Sequence, residues 1–238
     1  MSTAIVIPAR LDSTRFPNKM LCDVGGMTLI RRVYEQCLQT GLDVYVATDS
    51  PEIAAEVDNA ILVYDCENGT ARIAKAHIQM PYYDKIINVQ GDMVIVPLQD
   101  ILKLLVLLDR YDIATLKHPM HDDQRNDPNT VKVISSGDEA HWFCRAPLKY
   151  GDWHYGIYAY RTTALKMYRE LTIYPEENHE SLEQLRWILN GYTMGIVEAG
   201  YAAEINTPED LESFKKTNML TKDEEGSNII EILDKIIS

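Results

Sequence analysis

Three positively charged side chains follow the first apolar run of the sequence. They are Arg10, Arg15 and Lys19, and the hydroxyl residues Ser13 and Thr14 stand between them. The run before them, residues 4–7, reads Ala-Ile-Val-Ile, which is typical of a buried strand, and Pro8 is expected to stop it. Because open α/β sheets bind ligands at the carboxyl ends of their strands, the three cations are expected to meet a polyanion, most simply a triphosphate.

The segments that would position this loop alternate between strand and helix. The apolar spacing predicts helices over 29–40 and 51–56 and strands over 44–47 and 60–64. Further predicted strands cover 85–89, 113–116, 154–161 and 192–198, and further helices cover 73–78, 98–108 and 180–186. This alternation predicts an α/β protein with three layers, built on a mostly parallel, doubly wound sheet.

Composition places the chain among globular proteins and narrows its partners. Of its 238 residues, 46% are hydrophobic and 25% are charged, which suits one α/β domain with or without a smaller lobe. The net charge of −13 argues against general binding to nucleic acid or to an anionic membrane. A solvated basic loop is the alternative interpretation of the three cations, but in so acidic a chain a local positive cluster favours an anion site.

Cysteine and histidine spacing predicts no structural metal. The four cysteines, Cys22, Cys37, Cys66 and Cys144, form no CxxC pair, so free thiols in a reducing cytoplasm are expected. His118 and His121 are three residues apart, but Pro119 between them favours a loop over a metal-binding helix. Neither a signal-peptide pattern nor an apolar run of about eighteen residues is present.

The basic loop also carries a resemblance to a known family. Residues 7–19 read Ile-Pro-Ala-Arg-Leu-Asp-Ser-Thr-Arg-Phe-Pro-Asn-Lys, which resembles the signature I-P-A-R-x-x-S-T-R-x-P-G-K of the sugar cytidylyltransferases, in particular the 3-deoxy-manno-octulosonate (Kdo) cytidylyltransferase family. Three further stretches are similar to family motifs and follow in the same order. They are Gln-Gly-Asp at 90–92, His-Tyr-Gly-Ile-Tyr-Ala-Tyr-Arg at 154–161 and Glu-Ser-Leu-Glu-Gln-Leu-Arg at 180–186.

The resemblance covers about residues 3–216 and implies a fold, an activity and partners. The expected fold is a Rossmann-like nucleotidyltransferase domain over 1–216, with a smaller sugar-binding and dimerisation lobe at about 135–195. The expected reaction transfers CMP from CTP to an acidic 3-deoxy sugar such as Kdo, with Mg²⁺ as cofactor and release of pyrophosphate. A cytoplasmic homodimer is also implied. Residues 217–238 lie beyond the resemblance, and 228–237 are predicted to form a short amphipathic helix.

The resemblance further implies which residues bind the nucleotide. The candidates are Ala9, Arg10, Arg15, Lys19, Arg72, Gln90 and Gly91, with Arg10, Lys19 and Asp92 as the catalytic group. Asp92 would be a magnesium ligand, because a carboxylate at the end of a central strand can hold a hard cation through oxygen. A turn is the commoner role of such an aspartate, so this interpretation depends on the basic loop lying nearby.

The sugar would be held by residues from several motifs. The implied set is Gln90, Arg145, His154, Tyr158, Glu183 and Gln184. Arg145 would grip the sugar carboxylate through two parallel hydrogen bonds. The structural alternatives are a surface arginine paired to an acid, core aromatic residues on a strand, and a solvated acidic helix face.

Several positions depart from the family pattern. Asn18 stands in place of glycine, a mild change because both residues tolerate left-handed backbone. Met20, Ala71 and Met93 replace a proline and two glutamates. Asn206 replaces the second magnesium-binding aspartate and offers a carbonyl oxygen without charge. Two other hypotheses therefore stay open, namely a relative that acts on another acidic or amino sugar and a catalytically weak nucleotide-binding homologue.

Overall fold

A nine-stranded mixed sheet forms the centre of the molecule. The computed structural model describes residues 2–225, with side chains as far as residue 217. The strands are β1 (Thr3–Ala9), β2 (Asp43–Thr48), β3 (Ala60–Leu62), β4 (Lys85–Asn88), β5 (Ile113–His118), β6 (Lys132–Ser136), β7 (Glu139–Cys144), β8 (Asp152–Arg161) and β9 (Met194–Glu198). Their order across the sheet is β3-β2-β1-β4-β8-β5-β9-β7-β6.

Parallel pairing dominates the half of the sheet that begins the chain. Strand β1 lies parallel to β2 on one side and to β4 on the other, and β3 continues the parallel set beyond β2. Strand β8 is inserted antiparallel between β4 and β5, whereas β9 is again parallel to β5. The predicted α/β fold is confirmed, and its sheet is mixed, with four parallel and five antiparallel strand pairs.

Helices cover both faces of the sheet, which gives the three layers. They are α1 (Leu29–Leu38), α2 (Pro51–Ala54), α3 (Gly69–His77), α4 (Leu98–Leu107), α5 (Thr162–Met167), α6 (Pro175–Glu180), α7 (Leu185–Leu189) and α8 (Pro208–Glu225). Ile5 and Ile7 of β1 pack in the apolar cluster that contains α1 and α4, and Ala4 and Val6 pack in the cluster that contains α3 and α7. Burial on both faces explains why β1 is a continuous apolar run.

Strand β1 passes through Pro8 and ends at Ala9, so the prediction that Pro8 stops the strand was wrong. The carbonyl of Val6 accepts from Val89 N at 3.3 Å, on the side of β4. Pro8, two residues later, points to the same side, where the register with β4 has already ended at Val6. Its missing N–H therefore breaks no ladder hydrogen bond.

The predicted helix over 180–186 is interrupted. Helix α6 ends at Glu180, and Ser181 adopts left-handed backbone with φ of 53°. Leu182 N then donates to Glu177 O at 3.2 Å, the hydrogen bond of a Schellman helix end, and α7 begins only at Leu185. The left-handed residue cannot be read from a serine, which rarely adopts it, and the break frees Glu183 from the helix.

Residues 135–195 contribute β7, β8 and the start of β9 to the common sheet, and their assignment to a sugar-binding lobe stays a prediction. Helix α8 continues past the predicted boundary at 217 as far as Glu225. The amphipathic helix predicted over 228–237 lies outside the described residues. Among the helices of residues 2–225, none combines the length and the hydropathy that crossing a membrane requires.

Close packing makes Gly195 of β9 a test of this arrangement. A Cβ atom there would lie 2.6 Å from Cδ2 of Tyr111, whose ring is buried. Gly195→Ala is expected to lower the free energy of unfolding by about 1–3 kcal/mol, because the ring cannot move without disturbing its neighbours. Urea denaturation measures this change.

The matched control is Gly200→Ala, since a Cβ there meets only Asp100 Oδ2 at an ordinary 3.5 Å. Its effect should stay within about 0.5 kcal/mol. Equal stability of Gly195→Ala and the wild type would contradict the packing described here.

Candidate active site

The carboxyl ends of β1 and β4 open into a cleft. Because the two strands are parallel neighbours, the loops that follow them leave the sheet side by side. The cleft between these loops and the amino terminus of α3 has a volume of about 650 Å³. Ten of its lining residues were predicted site residues or stand beside them in the same motifs: Ala9, Arg10, Arg15, Lys19, Arg72, Gln90, Gly91, Asp92, Glu183 and Asn206.

An ion pair joins the two loops across the cleft floor. Lys19 Nζ lies 2.6 Å from Asp92 Oδ2, and the two side chains are only 8% and 21% exposed. Lys19 begins a 3₁₀ turn, and Asn18 before it is left-handed with φ of 56°. The expectation that Asn18 can replace glycine in such a conformation agrees with this backbone.

Gly91 allows the second loop to reach this position. A Cβ atom at Gly91 would lie 3.1 Å from the carbonyl oxygen of Pro8 and 3.1 Å from Sδ of Met20. Both contacts are tight, and the first is to backbone that cannot move independently. The absence of a side chain at Gly91 therefore permits this close approach, which places Asp92 beside the end of β1.

Helix α1 holds the loop after Asp92 from behind. Gln36 Nε2 donates to Val94 O at 3.0 Å, and Val96 N donates to Gln36 Oε1 at 3.1 Å. Met93 and Val94, which stand where the family has its acidic residue and proline, are buried in the apolar core. The departure at Met93 thus contributes packing beneath the cleft instead of charge within it.

Arg10 and Arg15 are exposed and line the cleft. Neither guanidinium makes a hydrogen bond or an ion pair with the part of the chain described here. Two unpaired guanidinium groups beside a partly buried lysine make this wall of the cleft suitable for an anion with several charges.

Arg72 is fixed in place by Asp49, which the sequence did not single out. Its Nη2 lies 2.7 Å from Asp49 Oδ2, and its Nη1 donates to Val63 O at 2.9 Å. Asp49 also accepts a hydrogen bond from Leu11 N at 3.4 Å. It therefore ties the basic loop to helix α3, and no motif signalled it because it follows β2 in an ordinary turn sequence.

The amino terminus of α3 is capped by Asn68, whereas the sequence favours the hydroxyl of Thr70 as the cap. Asn68 Oδ1 accepts from Ala71 N at 2.8 Å, and the Thr70 hydroxyl lies 3.2 Å from that of Tyr160. Thr70 N donates to Glu183 Oε2 at 3.1 Å. Desolvation raises the pKa of Glu183, and the hydrogen bond from Thr70 opposes this shift.

A network around Arg186 forms the opposite wall, and sequence reasoning missed it. The guanidinium is buried, donates from Nε to Glu177 Oε2 at 2.9 Å and pairs from Nη1 with Glu67 Oε1 at 2.6 Å. It also lies 4.3 Å from the centre of the Tyr168 ring. Its contacts connect α6, α7 and the loop before α3, so this wall is rigid.

Arg145 lies outside the lining of the cleft. Its Nε donates to Glu180 O at 3.0 Å and its Nη1 to Pro128 O at 3.1 Å. These carbonyls occupy the guanidinium that was expected to grip a sugar carboxylate. The arrangement thus gives no support to the predicted clamp.

His154, Tyr158 and Gln184 are buried behind the cleft and do not line it. His154 Nε2 lies 2.9 Å from Thr115 Oγ1, and its ring packs against Phe143 and Tyr158. Desolvation lowers the pKa of His154 to about 3, with a smaller contribution from the charge of Arg145. The structure thus places all three predicted sugar ligands in the core. For His154 and Tyr158 this agrees with the alternative interpretation, in which aromatic residues of a strand belong to the core.

Asn206 is positioned beside Asp92 by the main chain. Ile205 N donates to Asp92 O at 2.9 Å, and Asn206 Nδ2 donates to Glu204 Oε2 at 3.2 Å. Desolvation and then the charge of Asp92 raise the pKa of Glu204 to about 7. Asp92 and Asn206 thus offer a carboxylate and an amide oxygen at one edge of the cleft.

This donor set fits Mg²⁺ bound together with phosphates. Within residues 2–225, no three His, Cys, Asp or Glu side chains are grouped as a metal site. Mg²⁺ is commonly held by one or two carboxylates together with substrate phosphates, so a larger cage is not required.

His118 packs in the fold: its Nδ1 lies 2.8 Å from Ala199 O, and its ring stacks on Tyr155.

Comparison with known proteins agrees with this geometry. A family model described as cytidylyltransferase matches residues 4–210. This chain belongs to the cytidylyltransferase family. The resemblance found in the sequence motifs is thereby confirmed.

Similar members of the family match over most of their length. The 3-deoxy-manno-octulosonate cytidylyltransferase of Francisella tularensis subsp. holarctica strain LVS is 39% identical, over 89% of this chain and 96% of its own. The enzyme of the same name from Polynucleobacter necessarius is 38% identical, over 89% and 94%. A solved CMP:2-keto-3-deoxy-manno-octonic acid synthetase complexed with CTP superimposes with a TM-score of 0.87 at 34% identity, over 93% of this chain and 100% of that one.

The ionisation of His154 is a measurable consequence of its burial. The pKa of His154 in the folded protein is about 3, below its ordinary value of about 6.5. Between these two pH values the unfolded chain therefore binds one proton more than the folded protein. The stability that His154 contributes is complete above about pH 6.5 and is lost as the pH falls. Between about pH 6 and 4, the wild type should lose about 1.4 kcal/mol per pH unit more than His154→Gln.

Urea unfolding at a series of pH values measures both slopes. The glutamine keeps a hydrogen-bonding group near Thr115 and does not titrate, so the difference between the variants isolates this one proton. Parallel pH profiles would show that His154 is protonated in the folded protein and has solvent access.

Proposed function

We propose that this chain transfers CMP from CTP to Kdo and releases pyrophosphate. The observation that carries the proposal is the convergence of Arg10, Arg15 and the Lys19–Asp92 pair on one cleft at the ends of β1 and β4. The proposal is supported by relatives of this name that match nearly the whole chain and by the similar structure complexed with CTP.

The reaction needs positioning and charge neutralisation more than a reactive side chain. The anomeric hydroxyl of the sugar loses its proton to solvent, its oxygen forms a bond to the α-phosphorus, and the bond from that phosphorus to the bridging oxygen breaks as pyrophosphate leaves. Negative charge accumulates on the phosphate oxygens as this happens. Arg10, Arg15 and Lys19 would stabilise that charge in a partly dry cleft, where fixed cations act more strongly than in water.

Asp92 and the carbonyl oxygen of Asn206 would hold Mg²⁺ with the phosphates. When bound there, the cation supplies positive charge to the phosphates and lowers the pKa of a coordinated hydroxyl. Lys19 is already within 2.6 Å of Asp92, so its ammonium would shift from the carboxylate toward the nucleotide when both are present. Asp49 keeps Arg72 in the same wall, where it can contact the nucleotide.

The sugar would enter between Gln90 and Glu183. Both line the cleft; Gln90 Nε2 donates to Gly156 O at 3.0 Å, and Glu183 is held by Thr70 N. An amide and a carboxylate fixed in this way can recognise sugar hydroxyls by hydrogen bonding. Arg145, His154, Tyr158 and Gln184 would support this wall from behind.

A cytoplasmic homodimer is part of the same proposal. The four cysteines are free thiols, as expected in a reducing compartment. The dimer rests on the family resemblance alone, and measurement of the molar mass in solution tests it.

Pyrophosphate release with CTP, Mg²⁺ and a panel of acidic sugars tests the activity. The wild type is expected to turn over Kdo, and Asp92→Asn should lower kcat/KM by about 100-fold or more because it removes a charge next to the phosphates. Asp122→Asn, which alters a carboxylate that is 99% exposed and outside the cleft, is the control and should match the wild type.

Two results would replace the proposal. Turnover of a different acidic or amino sugar, without Kdo turnover, would keep the reaction and change the substrate. Binding of CTP without turnover of any sugar would favour a catalytically weak nucleotide-binding homologue.

A further inference from the structure

The turn between α6 and α7 carries a serine in a backbone conformation that serine rarely adopts. Among the described residues, positive φ occurs at glycines and at three other positions, Asn18, Asp65 and Ser181. Asparagine and aspartate are enriched in left-handed backbone, whereas serine is not. Ser181, with φ of 53°, is therefore the residue whose presence at positive φ its type explains least.

Two other helices of the same molecule are followed by glycine where the backbone becomes left-handed. Gly41 lies shortly after α1 with φ of 73°, and Gly191 lies shortly after α7 with φ of 84°. A Cβ atom at either glycine would meet nothing within 4 Å, so the backbone conformation and not a lack of room favours glycine there. The serine that follows α6 therefore needs a reason of its own.

Neighbouring hydrogen bonds hold Ser181 in this conformation. Ser181 N and Leu182 N both donate to Glu177 O, the latter at 3.2 Å. On the helix side, Arg145 N donates to Glu180 Oε2 at 2.7 Å, and Arg145 Nε donates to Glu180 O at 3.0 Å. The turn cannot relax to an ordinary backbone conformation without breaking some of these bonds.

The side chain of Ser181 is exposed and lines the cleft. Its hydroxyl lies 3.5 Å from Asn178 O, a distance at the limit of a hydrogen bond, so the group is available to a ligand. The side chain of Asn178 is also exposed and lines the cleft, and Glu183 lines it two residues further on. A hydroxyl and an amide side by side can each donate and accept, which suits the hydroxyl groups of a sugar.

We propose that Ser181 is a specificity-determining residue, whose hydroxyl, with the amide of Asn178, hydrogen-bonds the sugar hydroxyls farthest from the anomeric carbon. Both residues belong to the α6–α7 wall, whereas the groups expected at the phosphates come from the loops after β1 and β4. A sugar whose anomeric oxygen approaches the phosphates would extend its other end toward this wall. The inference rests on the proposed function, because it takes an acidic sugar as the second substrate.

Two variants separate the hydroxyl of Ser181 from its backbone. Ser181→Ala and Ser181→Gly both remove the hydroxyl, and both are expected to raise the KM for Kdo by about three- to tenfold, the loss of one neutral hydrogen bond. The KM for CTP should stay within about twofold of the wild type. Only Ser181→Gly relieves the left-handed conformation, so its Tm should lie about 2–4 °C above that of Ser181→Ala. Pyrophosphate release and thermal unfolding of the full-length protein measure these quantities.

A Kdo analogue without the terminal hydroxymethyl group supplies a measurement that a purely structural role would not change. The wild type should prefer Kdo over this analogue in kcat/KM. Ser181→Ala should reduce that preference by about three- to tenfold, because the analogue lacks the partner of the hydroxyl and loses nothing in the variant.

Asp65→Gly is the matched control. Asp65 is left-handed with φ of 55° and exposed, as Ser181 is, but it does not line the cleft. The variant should therefore keep both the KM for Kdo and the preference for Kdo over the analogue.

The outcomes separate this inference from the proposed function. A wild-type KM for Kdo in Ser181→Ala, or an unchanged preference for Kdo over the analogue, would overturn the inference while the wild type still releases pyrophosphate from CTP and Kdo. If the wild type turns over a different acidic sugar, the same comparison is made with that sugar and its truncated form. Absence of turnover with every acidic sugar would overturn the proposed function and the inference with it.

Discussion

The ion pair between Lys19 and Asp92 depends on the parallel pairing of β1 with β4. Each residue belongs to a loop that leaves the sheet at the carboxyl end of its strand, and only neighbouring parallel strands bring both loops to one edge. Gly91 sets the distance between the loops, because any larger residue would press on the carbonyl of Pro8. The proposed Mg²⁺ site adjoins the Asp92 side of this pair.

In the remaining walls of the cleft, ion pairs hold the charged side chains in place. Asp49 holds Arg72, and Glu177 with Glu67 holds Arg186, so these guanidinium groups have defined orientations. Arg10 and Arg15 are left without partners in the described chain, at the mouth where a nucleotide would enter. The arginines with ion-pair partners therefore shape the cleft, whereas the arginines without partners are available to bind an anion.

The sequence predicted the sheet and the nucleotide side of the cleft because those features are local. Arg10, Arg15 and Lys19 follow one apolar run and Asp92 follows another. Because open α/β sheets bind ligands at the carboxyl ends of their strands, the four residues are expected at one edge of the sheet. On the sugar side, the structure places Arg145, His154, Tyr158 and Gln184 outside the lining of the cleft, because their positions depend on tertiary contacts. Nothing local shows that Ser181 is left-handed, that carbonyls occupy Arg145 or that a bond to Thr115 holds His154 in the core. Asp49 carried no motif, and its partners Arg72 and Leu11 come from other segments of the chain.

Diffraction from crystals grown with CTP and Mn²⁺ tests the central claim most directly, because the anomalous signal locates the metal without assumptions about the nucleotide. The account predicts an Mn²⁺ peak bonded to the carboxylate of Asp92 and to phosphate oxygens, with Arg10 and Arg15 against the triphosphate. A nucleotide bound elsewhere, or a triphosphate in the cleft with Asp92 still paired to Lys19 and no metal beside it, would contradict the account.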